Sequence, residues 1–160
     1  MLLDIPRLHG LEWLEPMTPI LEEDLQGAER SEGVWVGEGD VLLVRTGRHR
    51  RRAARGPWNP ETEGAPGLHA SSGRWLFGRH LAALGGDLSS DVLPSGVEGV
   101  PEPMHTLALV AMGMHLLDNL WLEDLAQACA RLGRWEFLLL VAPLRLPGGS
   151  GSPCSPIAVL

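Results

Sequence analysis

The stretch MHTLALVAMGMHLLDNL, Met104 to Leu120, decides how this chain is built. It carries two histidines and one aspartate in an otherwise apolar run, and it admits two geometries. As one continuous helix it would set His105 and Asp118 ~220° apart around the axis and ~20 Å apart along it. No shared ligand could touch both. Gly113 offers the other geometry, because a glycine after Leu107–Met112 can take the left-handed conformation that ends a helix and turns the chain back. Residues 105–112 then form a helix of about 12 Å. Residues 114–118 form a returning strand of about 16 Å. The reversal brings Asp118 back beside His105, which stands at the helix start behind Pro101 and Pro103. His115 lies mid-strand, points to the opposite face and reads as structural. His105 and Asp118 are therefore a candidate site pair; the plainer alternative has each residue capping a helix.

On the N-terminal side, Gly39-Asp40 marks a turn and Val41–Val44 a buried strand. Leu81–Leu84 reads as another buried strand, ended by Gly85-Gly86-Asp87. Thr18, Pro19 and the acids Glu22, Glu23 and Asp24 resemble a helix entry running to about Ser31, with Glu32-Gly33 as its stop. Arg48–Gly67 reads as irregular, Ser71 or Ser72 as the cap of a short helix through Trp75 and Leu76, and Asp91–Pro103 as loop. On the C-terminal side, Leu122, Leu125, Ala126, Cys129 and Leu132 recur at helical spacing, with Gly133 where a terminating glycine belongs. Phe137–Val141 reads as a buried strand closed by Pro143, and GGSGSPCSPIAVL as a turn followed by a last short strand. Strands and helices alternate irregularly, so the class is α/β or α+β, as a single domain over 1–160 without internal repeats.

With 160 residues, 44% of them hydrophobic, the chain can bury one real core. Thirteen basic residues, all of them Arg, against twenty acidic ones leave a net charge of −7. That balance suits neither nucleic acid nor an anionic membrane. The run RHRRRAAR, Arg48–Arg55, reads as a phosphate patch or as a solvated loop. Cys129 and Cys154 lack C-x-x-C spacing, which fits a reducing compartment. No signal-peptide core and no span of ~20 apolar residues is present, so a cytoplasmic location is expected. Trp75, Trp121 and Trp135 sit beside apolar periodic positions and read as core, with an aromatic substrate pocket as the alternative. His69 reads as structural or solvent-facing.

Taken in order and spacing, GDVLLVRTG, GLHASSGRWL, LAALGGD, PMHTLALVAMGMHLLDNLWLEDLA and EFLLLVAPLRLPGGSGSPCSPIAVL resemble the cyclase family of metal-dependent hydrolases. Bacterial kynurenine formamidase and isatin hydrolase belong to that family. The resemblance covers nearly the whole chain. It implies an α/β fold with a barrel-like β core and flanking helices, usually assembled as a homo-oligomer. It implies hydrolysis of amide or lactam bonds in small, often aromatic, carbonyl compounds, as in the arylformamidase chemistry of tryptophan catabolism. A divalent metal, zinc or manganese, activates the attacking water in such enzymes. By this resemblance His105 matches the histidine that opens the family helix and faces the metal cleft, and is implied as catalytic. Asp118 matches the acid before Asn119-Leu120. In two-metal members the pair ligates the second ion; in one-metal members it lines the water and proton path. Here the acid is one methylene shorter than the common glutamate and one residue further from the histidine. Ser152 and Pro153 match the tail motif near the active-site floor and are implied to contact substrate, while Ser150 stands where the family prefers threonine.

The family's primary metal motif, H-x-G-T-H-x-D-x-P-x-H, has no counterpart in this chain. His9 is followed by Gly10-Leu11-Glu12, His49 lies in the arginine run, and His69 and His80 lack partners at the needed spacing. The opening residues Met1-Leu2-Leu3-Asp4 read like the interior of a strand. The expectation is therefore an N-terminally truncated, C-terminal portion of a cyclase-type hydrolase, incomplete as a catalyst. The alternative is a non-catalytic binding or oligomerisation module of the same fold.

Overall fold

The computed structural model describes residues 1–160. In chain order the elements are β1 (Leu2–Asp4), α1 (Ile5–Leu8), β2 (Pro19–Ile20), α2 (Glu22–Glu32), β3 (Val41–Arg45), α3 (Arg48–Arg55), α4 (Pro60–Glu63) and β4 (Gly67–Leu68). There follow α5 (Gly73–Gly78), β5 (Ala83–Gly86), α6 (Pro103–His105) continuing as a π-helix over Thr106–Met112, β6 (His115–Leu117), α7 (Glu123–Leu132), β7 (Leu138–Leu140) and β8 (Ile157–Val159). No helix is long and apolar enough to cross a membrane.

The centre is a parallel sheet in the order β1-β3-β5-β6. Its strands read as unbroken apolar runs because helices cover both faces. Leu3, Leu42, Val44 and Leu84 point to one face, under Leu25 and Ala28 of α2, Trp75 and Leu76 of α5, and Met104 and Ala108 of the helix over 103–112. Leu2 and Leu43 point to the other, under Leu122, Ala126, Cys129 and Trp135 at α7. Alternation along each strand makes this division. Two smaller sheets flank the centre, β2 with β4 in parallel and β7 with β8 antiparallel. The fold is mixed α/β with an open parallel sheet.

Several local expectations change, each through a long-range contact. Thr18 and Pro19 do not start α2: Pro19 pairs with Gly67 in β2–β4, and the helix begins at Glu22, where Asp24 accepts from the Leu21 amide at 2.8 Å. The terminus at Gly33 is as expected. Strand β5 lies two residues later than Leu81–Leu84, because pairing with β3 runs from Val41↔Ala83 to Val44↔Gly86. The segment expected to be irregular holds α3, although its basic first turn opposes the helix dipole. The buried carboxylate of Asp87 removes that conflict by accepting from the amides of Thr46, Gly47 and Arg48 at 2.8, 2.9 and 3.2 Å and from the Thr46 hydroxyl at 2.8 Å. The arginines are spoken for elsewhere too: Arg50 and Arg51 pair with Glu12 and Glu15, and Arg51 also lies over Trp58. Phe137–Val141 is not buried. Leu138 and Leu140 are half-exposed, since β8 is the only strand paired with β7.

Candidate functional site

All four parallel strands end at one edge of the sheet, and each delivers a charged residue there: Asp4, Arg45, Asp87 and Asp118. Such carboxyl edges are where open α/β sheets bind ligands. Three of these positions are saturated. Arg45 is clamped between Asp4 and Glu123, both at 2.8 Å, and Asp87 caps α3. Asp118 remains.

The chain reversal at Gly113 is present, with φ 64° and ψ 25°. It carries Asp118 back to His105, and His105 Nε2 lies 3.2 Å from Asp118 Oδ2. Both side chains are about a quarter exposed, 24% and 27%. The helix between them is π-wound, a form often found at functional sites. The other ring nitrogen, Nδ1, lies 2.6 Å from Asp91 Oδ2. The carboxylate of Asp91, itself only 1% exposed, also accepts from the Met104 amide at 2.6 Å and the His105 amide at 3.2 Å. Ser90 Oγ donates to Asp118 Oδ1 at 3.1 Å. Burial by itself would lower the His105 pKa, but the Asp91 hydrogen bond and the charges of Asp118 and Asp91 outweigh it and hold the ring above its usual value.

The loop after Asp118 is pinned from α3. Asn119 adopts a left-handed φ of 58°, unusual for a residue with a side chain. Arg48 Nη1 donates to its Oδ1, its own amide donates to Leu88 O at 3.0 Å, and His49 Nε2 is 3.2 Å from Leu120 O. Trp121, expected in the core, is exposed instead and tilts against His49 with ring centroids 4.5 Å apart. Trp75 and Trp135 are buried as expected. His115, expected to be structural, lies exposed.

Asp118 opens onto a cleft of about 490 Å³ walled by Leu116, Leu120, Leu125 and Leu139, with Ser152 and Pro153 on its far side. Ser152 Oγ accepts from the Leu144 amide at 3.0 Å and donates to Pro153 O at 3.1 Å. Of the residues singled out in the sequence, the structure thus joins His105 to Asp118 directly, and Ser152 and Pro153 to Asp118 across a cleft. A groove of about 1350 Å³ between α4 and residues 93–102 is larger, but its polar lining is mostly glutamate and it holds no imidazole. Ser90 and Asp91 were not visible as site residues. They lie at the edge of a proline-rich loop, and only the short polar run Asp87-Leu88-Ser89-Ser90-Asp91 after a strand hints at them. No group of three or more His, Cys, Asp or Glu side chains is arranged to hold a metal ion.

Residues 1–91 match the sequence profile of the family described as putative cyclase. The chain belongs to the cyclase family. The matched stretch ends at Asp91, so the placement of His105 and Asp118 within the cyclase fold rests on structural likeness. The crystal structure of a novel cyclase is 31% identical with a TM-score of 0.85, over 99% of this chain and 52% of that one. Isatin hydrolase A from Labrenzia aggregata bound to benzyl benzoate is 25% identical with a TM-score of 0.74, over 98% of this chain and 58% of that one. A potential metal-dependent hydrolase with cyclase activity shares the fold, at 17% identity and a TM-score of 0.61, over 98% of this chain and 62% of that one. This cyclase-family chain therefore spans about 52–62% of the length of these solved structures. No curated protein matches it by sequence.

Proposed function

We propose that this chain supplies part of the active centre of a metal-dependent hydrolase that opens amide or lactam C–N bonds in small carbonyl compounds. The observation that carries the proposal is the His105–Asp118 pair at 3.2 Å in a cyclase fold, with Asp118 lining a cleft walled by leucines. Cyclase-family neighbours that include an isatin hydrolase and a metal-dependent hydrolase support the class of chemistry.

The residues present fit a share of a metal site. With Nδ1 engaged by a buried carboxylate, His105 presents Nε2 toward Asp118, the orientation that metal-binding histidines commonly show. An imidazole and a carboxylate suit zinc or manganese. A competent catalytic site needs about three protein ligands, so His105 and Asp118 would hold the ion together with donors from outside this chain. When bound, the ion supplies a water acidic enough to attack a carbonyl at neutral pH. The chain's own residues do the rest. When the ring takes up its second proton, His105 carries it at Nε2, facing Asp118. Leu116, Leu120, Leu125 and Leu139 exclude water from an apolar substrate body, against a floor formed by Ser152 and Pro153. The barrel-like closure of the β core, and assembly as a homo-oligomer, belong to the same proposal.

The test is titration of a full-length version of the protein, one that includes the missing metal donors, with zinc or manganese, read by retained metal, followed by hydrolysis of an aryl formamide and of a lactam at saturating metal. Turnover should fall by roughly 10²-fold in His105→Ala, the usual size for a positioned proton-transfer group. Asp118→Asn should lower metal retention with the fold intact. His115→Ala should leave turnover per folded molecule unchanged. Turnover that ignores His105→Ala but disappears in His115→Ala would refute the assignment.

One observation favours a second reading, a non-catalytic oligomerisation module. Leu138, Leu140, Ile157 and Val159 of the β7–β8 ribbon are each at least half exposed, and uncovered apolar surface of this kind drives association. A sedimentation profile of monomer alone, without binding of an apolar dye, would dispose of it.

A further inference from the structure

We infer that the consecutive residues Ser90 and Asp91 act as one positioning unit that sets the geometry of both members of the His105–Asp118 pair. The inference rests on the hydrolase reading for its purpose, not for its geometry. Ser90 Oγ takes one oxygen of Asp118 at 3.1 Å, and Asp91 takes Nδ1 of His105 at 2.6 Å. Two neighbouring side chains on one backbone therefore grip the acid from β6 and the histidine from the facing helix. Each contact leaves the working atom free to meet its partner: Oδ2 of Asp118 and Nε2 of His105 face each other.

The unit is itself rigid. The Leu68 amide donates to Ser90 O at 2.8 Å and the Val92 amide to Leu68 O at 3.1 Å, so β4 brackets the dipeptide on both sides. Gly67 makes that approach possible, because a Cβ there would stand 2.4 Å from the carbonyl carbon and oxygen of Asp91. The buried Asp91 carboxylate adds the amides of Met104 and His105 to its acceptance from Nδ1, which fixes both its oxygens. A fixed acceptor at Nδ1 dictates which nitrogen of a neutral imidazole carries the proton. Asp91 thereby leaves the Nε2 lone pair facing Asp118, and Ser90 keeps Asp118 from rotating away. Neither residue touches the cleft in which substrate would lie, so both are positioning residues.

The test reads the ring directly, by ¹⁵N resonances of the His105 imidazole in the full chain without substrate or metal, assigned with His105→Ala. At a pH where the ring is neutral, the wild-type proton sits on Nδ1. Asp91→Asn can still cap the helix through its amide oxygen but removes the carboxylate, and the proton should move to Nε2, now donated to Asp118. Ser90→Ala should broaden or shift the Nε2 resonance, and Ser90→Thr, which keeps the hydroxyl, should restore it. Thermal midpoints measured alongside separate this from loss of fold, since general destabilisation does not exchange the tautomer or respond to Thr differently from Ala. An Nε2 proton in the wild-type chain, or an unchanged ring in Asp91→Asn with no Ala/Thr difference at residue 90, would overturn the inference. The tautomer decides the question even in a chain that hydrolyses nothing; in that case only the hydrolase reading fails.

Discussion

Replacing Glu32 with glutamine should stabilise the protein at alkaline pH and do so progressively less as pH falls. Glu32 is the last residue of α2, where the helix dipole already disfavours negative charge. Its Oε1 accepts from the Asp4 amide at 2.9 Å, while Oε2 is buried without a partner. Burial pushes the carboxyl up from the usual 4.5 to about 8; the Asp4 charge adds to it, and the Asp4 amide and Arg7 offset it only in part. The folded chain thus keeps a proton that the unfolded chain releases. The associated stability is complete below about 4.5 and is lost as pH rises through about 8. A tenfold change in proton affinity is worth about 1.4 kcal/mol, so the fully buried limit is about 5 kcal/mol. Partial access to water reduces this to on the order of 2–3 kcal/mol. Urea unfolding of wild type and Glu32→Gln at about pH 5 and about pH 9 measures it, because every other titrating group cancels in the difference. A constant offset from the glutamine amide is expected, so the readout is the change in ΔΔG between the two pH values. Parallel pH profiles for the two proteins would refute the reasoning.

Other buried contacts carry measurable costs. Asp87→Ala should cost about 3 kcal/mol or more, because three amides and a hydroxyl lose a buried acceptor at once; amide exchange across Arg48–Arg55 should rise first. Gly67→Ala forces a Cβ to 2.4 Å from the Asp91 backbone and should destabilise by about 2–3 kcal/mol, visible as a lower Tm and a perturbed His105 ring. Arg79 lies 3.9 Å from the Trp35 ring and 4.6 Å from that of Trp75, donates to Val36 O at 2.7 Å and pairs with Glu29 at 2.8 Å. Arg79→Ala should therefore cost about 2 kcal/mol in urea unfolding, while Arg79→Lys should recover less than half because lysine loses the planar stack.

The chain reversal at Gly113 was legible in the sequence. An apolar run broken by a glycine and closed by a polar D-N pair can end its helix in the left-handed conformation and turn back. The same holds for the ends of α2 and α7 at Gly33 and Gly133, for β3, and for the adjacency of His105 and Asp118. These features are local: each follows from backbone conformation and from side-chain period over fewer than about twenty residues. What tertiary structure alone decided is of another kind. Helix α3 forms from an arginine run because a carboxylate 39 residues away meets its first turn. Trp121 faces water because its loop is pinned to His49 across 71 residues. Asp91 reaches His105 because Gly67 lets the β4 backbone approach it without a Cβ in the way. A charge that is satisfied at a distance leaves no periodic trace in the sequence, since the pairing depends on where the sheet places its strand ends, and so the residues that hold the pair in place became visible only with the fold.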